Sequence, residues 1–453
     1  MPQLNLSSFH DYDIRGVYQE EIDENFYYHL GKAVALYIGE GPIAVGHDAR
    51  TSSPTLTASL IEGITDYGVD VVSLGQISTE MHNFACGKYG FAANIAVTAS
   101  HNPGKYNGAK IAKRGVIPLH SGFGLPEIKK LIVQDLPKSR VKGAVTTQDI
   151  FKAWIEHCLT FIKKDTLKPF KVIVDGGNGM GGPSWMAMQN ELPCEIVPMY
   201  LDPDGTFPNH EANPLKDENT HELQERIKKE GADLGIALDG DADRIFFIDE
   251  TGTKLSGTVT TAILASHFLK HEKGYILYNA ICGRIVKETT LALGGTPLRT
   301  RVGHSFIKEA MKKYDGIVAG EHSGHFYFRD CFYAESTLIA GLLMMQFMSD
   351  ENVTLSSIRK QFDIYPESGE INFVVKNRDM AAQNIREKYQ KEAAEFDELD
   401  GYSFWYPDWW FNVRLSKTEP LLRLNIEADN ESILEEKVKI LSADLESMGA
   451  LRK

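Results

Sequence analysis

Cysteine is scarce and unpaired in this chain. Five of 453 residues are cysteine (Cys86, Cys158, Cys194, Cys282 and Cys331), and none stands in a CxxC spacing. That excludes a zinc ribbon and a disulfide framework and fits a reducing compartment. Long hydrophobic runs are missing too. The longest, Leu338 to Met345, includes Gly341 and is too short to span a bilayer, so it reads as a core helix. The first residues, MPQLNLSSFHDYDIRG, lack a cationic start followed by an apolar stretch. No signal peptide is expected, and the cytoplasm is the expected compartment. Positive charge is in deficit: 48 Lys and Arg against 62 Asp and Glu give a net charge of −14. That field repels nucleic acid and anionic membrane, so neither is an expected partner. A few arginines in a cleft can still bind a small anion.

What is present is an ordinary globular composition, 43% hydrophobic and 24% charged, on a length that suggests three or four domains. Apolar runs and helical spacings alternate. Phe26, Leu30, Val34 and Tyr37 predict a helix over 26–38, and Ile43-Ala44-Val45 a strand ending in Gly46-His47-Asp48-Ala49-Arg50. Ser53-Pro54 reads as the capped start of the next helix, and Val69 to Leu74 as the strand after it. Residues 134–149 are polar, with Pro137 and Gly143, and read as a linker. Strands at Lys171–Asp175, Leu234–Leu238 and Ile245–Ile248, and later at Tyr275–Tyr278 and Gly316–Ala319, continue the layout. The tail changes style to a strand at 371–375, a helix at 379–396, a strand at 410–413 and a last helix opened by a Ser432/Glu435 capping box. The fold class is therefore three α/β domains, over 1–146, 147–250 and 251–365, and a smaller α+β domain over 366–453.

Four polar clusters interrupt this pattern, each at the end of a strand. Thr98-Ala99-Ser100-His101-Asn102-Pro103 places a hydroxyl beside an imidazole at a strand tip. Such a serine gains reactivity from a base, a metal or a carried phosphoryl group; a plain strand-capping turn is the alternative. Lys110 returns from the loop that follows, and a desolvated amine there could move protons or hold phosphate. Asp239-Gly240-Asp241-Ala242-Asp243-Arg244 crowds three carboxylates, which repel one another unless a cation lies among them. Oxygen-only ligands favour magnesium, with calcium or manganese as alternatives. An EF-hand loop, with Glu250 as its last ligand, fails because Arg244 stands at the glycine position and strands flank the loop. Gly320-Glu321-His322-Ser323-Gly324-His325 suits sugar hydroxyls better than a metal. Arg414, Ser416, Lys417, Thr418 and Arg423 make a phosphate clamp. Gly176 to Gly182 reads as a tight strand-to-helix turn, and Tyr12-Asp13-Ile14-Arg15-Gly16 as a turn with an Arg–Asp pair.

With these motifs in this order, the chain resembles the α-D-phosphohexomutases over essentially its whole length. The resemblance implies three similar mixed-sheet α/β domains and a smaller fourth around a central cleft. It implies a phosphoserine at Ser100 and Mg²⁺ held by Ser100, Asp239, Asp241 and Asp243. A hexose 1,6-bisphosphate would be both intermediate and activator. Arg15, His101, Lys110 and Arg244 are the implied catalytic residues. His304, Glu321, His322, Ser323, His325, Arg414, Ser416, Lys417, Thr418 and Arg423 are the implied substrate contacts, with His304 and His325 also candidates for proton transfer. His322 after Glu321 favours interconversion of mannose 6-phosphate and mannose 1-phosphate. Glucose phosphates, alone or as well, are the next alternative, ahead of glucosamine phosphates and a metal-dependent phosphatase. A small sugar phosphate is the expected partner, and a monomer or homodimer the expected state.

Overall fold

The computed structural model describes residues 4–416 and 420–453. Four sheets follow one another along the chain. The first, mixed, runs Ile14–Val17, Tyr106–Lys113, Ala93–Val97, Ile43–His47, Val71–Gln76, Val145–Thr147, with Ile117–Pro118 beside Tyr106–Lys113. Ala93–Val97 is buried at every position, as its unbroken apolar run requires of a strand covered on both faces. Helices Glu24–Ile38 and Ser53–Asp66 cross so closely that a Cβ on Gly31 would lie 2.3 Å from the Leu60 carbonyl oxygen. Two expectations change here. Ser53 does not cap its helix; its hydroxyl donates to Asp48 at 2.6 Å. The 134–149 stretch contributes a strand, Val145–Thr147, parallel to Val71–Gln76, because its backbone can pair with that open edge.

The second sheet runs Ile245–Asp249, Leu234–Leu238, Lys171–Asp175, Glu195–Met199, and the aspartate-rich loop joins its antiparallel pair. In the third, Thr296–Thr300, Tyr275–Asn279, Val318–Gly320, Phe326–Phe328 and Ala334–Glu335 pair in that order. His304 opens the helix His304–Tyr314, with Gly303 at its N-cap. Helix Thr337–Glu351 is buried over Thr337–Ser349, all round, and packs Gly341 against the Trp185 indole. A helix apolar on every face must lie inside. One apolar core consequently runs from Phe84 and Trp154 through Trp185 to Met345. Glu80, at the start of helix Thr79–Tyr89, caps the Thr337–Glu351 helix from the first unit. It accepts from the Thr337 and Leu338 amides at 2.9 and 3.1 Å and from the Ser336 hydroxyl at 2.9 Å.

Burial pushes the Glu80 carboxyl up to about 7, against the pull of those donors. A group raised on folding stabilises the protein below its unfolded value, and that contribution is lost as pH rises through the folded one. Glu80→Gln mimics the protonated acid. It is expected to remove up to about 3 kcal/mol of stability loss between pH 4.5 and 7. Subtracting the variant's denaturation midpoints from those of the parent across that range checks it; parallel curves would refute it.

The fourth sheet is antiparallel: Glu395–Asp397, Tyr402–Trp405, Trp409–Leu415, Leu422–Ala428, Glu367–Val374, Leu451–Arg452. Its helices are Arg378–Tyr389 and Glu431–Ser447. The first is shorter than the sequence predicts, and Asn430, not Ser432, caps the second, accepting from the Ile433 amide at 3.1 Å. Arg284 and Arg299 of the third unit dock this unit through Glu427 at 2.6 Å and Asp397 at 2.5 Å. No helix of the described residues is long and apolar enough to cross a membrane.

Candidate active site

Ser100 sits just past the end of Ala93–Val97 with φ of 52°, a left-handed conformation that costs energy in a residue bearing a Cβ. The surroundings hold it there. Its amide donates to the Thr98 hydroxyl at 3.0 Å, which donates on to Asp48 at 2.7 Å. Arg50, buried, donates to the carbonyls of Ser100, Asn102, Pro103 and Tyr106 at 2.6–3.1 Å and to Asp48 at 3.0 Å. The ring of Phe207, from the second unit, covers its guanidinium. The Ser100 hydroxyl is thereby presented to Asp239 Oδ2 and to His101 Nδ1, each at 3.2 Å.

The three aspartates are buried, and one oxygen of each lies within 4.8 Å of the others. One oxygen of each carboxylate is tied to other groups, and Asp239 Oδ2 in addition takes the Ser100 hydroxyl. Asp239 Oδ1 accepts from the Asp243 and Arg244 amides at 3.0 and 3.1 Å. Asp241 Oδ2 accepts from Thr79 and Lys110 at 2.6 Å, and Asp243 Oδ2 from Lys110 at 2.6 Å. Asp241 Oδ1 and Asp243 Oδ1 are buried without a hydrogen bond. Hard oxygen donors with spare lone pairs and excess negative charge could hold a metal ion such as Mg²⁺. Burial, then the neighbouring Asp243 and Asp241, pushes the Asp239 carboxyl well above the carboxylate range. Asp243 is held well below it because Lys110 and His325 outweigh burial. Glu250, the last-ligand position of the rejected EF-hand, turns away to Ser356.

The glycine-rich turn serves this loop. A Cβ on Gly179 would lie 2.7 Å from the Gly240 carbonyl oxygen, and the Met180 amide donates to that oxygen at 3.0 Å. The turn buttresses the aspartate loop from behind, as the sequence reading of a tight turn requires.

Lys110 is no surface lysine. It lies partly buried between Asp241 and Asp243, whose charges outweigh desolvation and keep the amine protonated. Arg15 pairs with Asp13 at 2.5 Å and donates to the Asn102 side chain at 2.7 Å, which brings it to the serine loop. Arg244 Nε donates to His325 Nε2 at 3.3 Å and stands 3.7 Å from Asp239. Across the cleft, Glu321 accepts from Tyr327 at 2.5 Å and from Asn279 at 3.1 Å. His325 Nδ1 is 3.0 Å from the Ser323 hydroxyl and 3.5 Å from Glu321. His322 Nδ1 meets Asn279 at 3.0 Å, and its Nε2 lies 4.0 Å from Glu370. Glu370 receives Arg414 at 2.8 Å and Arg423 at 3.3 Å. The Ser416 amide donates to the Leu421 carbonyl at 2.9 Å; Lys417 and Thr418 lie outside the described residues. A line of polar contacts no longer than 4.0 Å therefore joins Ser100 to Arg423 through all four units.

Burial lowers His101, His304 and His322 well below the usual histidine value. Arg244 and Arg15 add to it at His101, Lys308 at His304, and Arg414 and Arg423 at His322. All three are neutral imidazoles at pH 7, able to accept a proton. His304 packs edge-on against Tyr12 and is not part of that contact line.

Asp48, Arg50, Thr79, Asn279 and Glu370 brace the candidate residues from behind and carry no motif of their own in the sequence. The HDAR stretch at the end of Ile43–His47 offered the one local signal, a buried strand ending in opposite charges.

The fold and the site are those of a phosphoryl-transferring isomerase. Four domain models of the phosphoglucomutase/phosphomannomutase family match the chain: α/β/α domains I, II and III at residues 6–134, 152–252 and 256–365, and the C-terminal domain at 370–441. The chain belongs to this family. It is 39% identical over 440 residues to a phosphomannomutase of Methanocaldococcus jannaschii, covering 96% of each chain. It is 37% identical over 434 residues to one of Salmonella montevideo, covering 94% of this chain and 95% of that one. The crystal structure of a phosphoglucomutase/phosphomannomutase family protein from Burkholderia thailandensis superimposes with a TM-score of 0.89 at 29% identity, covering 99% of this chain and 100% of the other.

Proposed function

We propose that the protein interconverts mannose 6-phosphate and mannose 1-phosphate by exchanging a phosphoryl group through Ser100. The observation that carries this reading is the Ser100 hydroxyl itself, held in a left-handed turn 3.2 Å from a buried carboxylate of a three-aspartate cluster. The similarity to phosphomannomutases supplies the sugar.

In the reaction, a phosphoryl group carried on the Ser100 oxygen moves to the free hydroxyl of the bound sugar phosphate. The Oγ–P bond breaks, the sugar O–P bond forms, and the hydroxyl proton passes to a neutral base. His101 and His304 are the uncharged imidazoles near the serine and at the domain III helix start; His325 faces Asp243 at 3.3 Å. The product is a hexose 1,6-bisphosphate. It turns end for end and returns its other phosphoryl group to Ser100, restoring the enzyme. Lys110 and Arg244 offset charge beside the serine, and Arg15 steadies Asn102. Glu321, Ser323 and His322 face the sugar, and Arg414, Ser416, Lys417, Thr418 and Arg423 grip the phosphate that is not reacting. Mg²⁺ held by Asp239, beside Ser100, and by the unpartnered oxygens of Asp241 and Asp243 would neutralise charge on the phosphoryl oxygens. Five free, buried cysteines suit the cytoplasm.

Phosphorus NMR of the protein with Mg²⁺ and a trace of glucose 1,6-bisphosphate tests the reading, with mannose 1-phosphate and glucose 1-phosphate in parallel. Conversion to a 6-phosphate signal supports the mutase, and release of inorganic phosphate supports a phosphatase. Glucose turnover is the second reading to keep, because a relative from Xanthomonas campestris, 36% identical over 434 residues, bears the name phosphohexose mutases. Faster conversion of the glucose ester would replace mannose as the substrate.

Glu370 competes with substrate phosphate for the two arginines. Glu370→Gln is expected to bind inorganic phosphate about threefold to fivefold more tightly at low salt, the effect of one partly exposed ion pair. The gain should shrink as ionic strength rises. Titration calorimetry checks both; weaker binding would show that Glu370 orders the arginines instead of competing for them.

A further inference from the structure

Asp241 is oriented from outside its own unit. Its Oδ2 accepts from the Thr79 hydroxyl at 2.6 Å, and the Thr79 amide donates to the Asp241 carbonyl at 2.9 Å. Both residues are buried. Thr79 is the first residue of helix Thr79–Tyr89, whose N-cap, Ser78, accepts from the Met81 amide at 3.2 Å. The next residue, Glu80, ties the same helix end to Ser336, Thr337 and Leu338. Thr79 is thus fixed on both sides, and its hydroxyl proton is committed to one oxygen of the carboxylate. Lys110 takes the same oxygen at 2.6 Å. That leaves Asp241 Oδ1, buried and without a hydrogen bond, as the oxygen free to bind a cation. The loop itself cannot enforce this choice. Its own amides hold Asp239, and Ala242, with φ of 58°, donates to the Asp239 carbonyl at 3.2 Å, but among the described residues the Asp241 carboxylate is bonded only by Thr79 and Lys110.

We infer that Thr79 is a positioning residue of the divalent-cation site: it turns Asp241 so that Oδ1 meets the cation, and it makes cation affinity depend on the docking of the first unit against the second. The inference rests on reading the aspartate cluster as a cation site. Partners that orient metal ligands are worth about 10- to 100-fold in metal affinity.

Manganese(II) is the probe, added to the full chain and followed by the paramagnetic resonance of the free ion. Thr79→Val keeps the shape and loses the donor; Thr79→Ser keeps the donor. The valine variant is expected to bind Mn²⁺ about 10- to 100-fold more weakly, and the serine variant within about threefold of the parent. The magnesium concentration for half-maximal turnover should rise by the same factor in the valine variant, while kcat at saturating magnesium stays within about threefold, a split that general loosening of the fold would not produce. Parental Mn²⁺ affinity in a folded valine variant overturns the inference. Should that variant fail to fold, Thr79→Ala against Thr79→Ser makes the same comparison, and equal affinities overturn it. A parent protein that binds Mn²⁺ yet converts no sugar phosphate sinks the proposed reaction and leaves this inference standing. A parent that binds no Mn²⁺ sinks the inference.

Discussion

Ser100→Ala yields a folded protein that binds sugar phosphate and transfers no phosphoryl group. The expected loss in kcat is about 10⁴-fold or more, because an acceptor oxygen is removed and no neighbouring hydroxyl can replace it. Folding is spared. The hydroxyl makes two contacts, to Asp239 and His101, both at 3.2 Å, and Arg50 grips the loop by its carbonyls, which alanine retains. Incubation with phosphorus-32-labelled glucose 1,6-bisphosphate followed by denaturation separates the cases. The parent should retain label on protein and the variant none. Label or turnover in the variant would move the phosphoryl acceptor elsewhere. A parent that binds sugar phosphate but never turns it over, and is matched in this by the variant, would make the protein a sensor.

Arg50→Met should be the most damaging single change to stability in the first unit. Its guanidinium satisfies four carbonyls and the buried Asp48, with a side chain that is itself buried. Removing it leaves the Asp48 carboxylate without its cation, still facing Ser53 and Thr98. Breaking a buried ion pair from one side costs about 3–5 kcal/mol. In a unit of this size that lowers the melting midpoint by roughly 6–20 °C. Arg50→Lys should recover little, since an ammonium cannot span four carbonyls and a carboxylate. The double variant with Asp48→Asn should be less damaged than the sum of the two. Calorimetry on the four proteins decides it; additive losses, or a shift under about 2 °C for Arg50→Met, would show that the network is not cooperative.

Strands at Lys171–Asp175 and Leu234–Leu238 lie where their apolar runs predict, because a buried parallel strand needs nothing more than that run and a turn after it. The fourth unit was harder to read. Leu422–Ala428 alternates Leu, Leu, Ile and Ala with Arg, Asn and Glu, a period of two that marks a strand, here buried at every position but Arg423. The charged Arg423 and Glu427 obscured it, and both are used: one against Glu370, the other in docking Arg284.

The sequence by itself determined which loops are candidates for chemistry: Ser100, the three aspartates, Glu321 to His325 and the arginines around 414–423 are short polar stretches after apolar strands, and local polarity is legible without a fold. It could not say what holds them. Thr79 meets Asp241 across 162 residues, Arg284 meets Glu427 across 143, and Arg50 meets Ser100 across 50. Read locally, Thr79 is a helix start and Arg50 a charged turn. Only the tertiary fold, within the first unit for Arg50 and between the first and second for Thr79, converts them into the supports of a serine and a carboxylate. A buried polar group must find its partner wherever the tertiary structure brings one, and separation along the chain carries no trace of it.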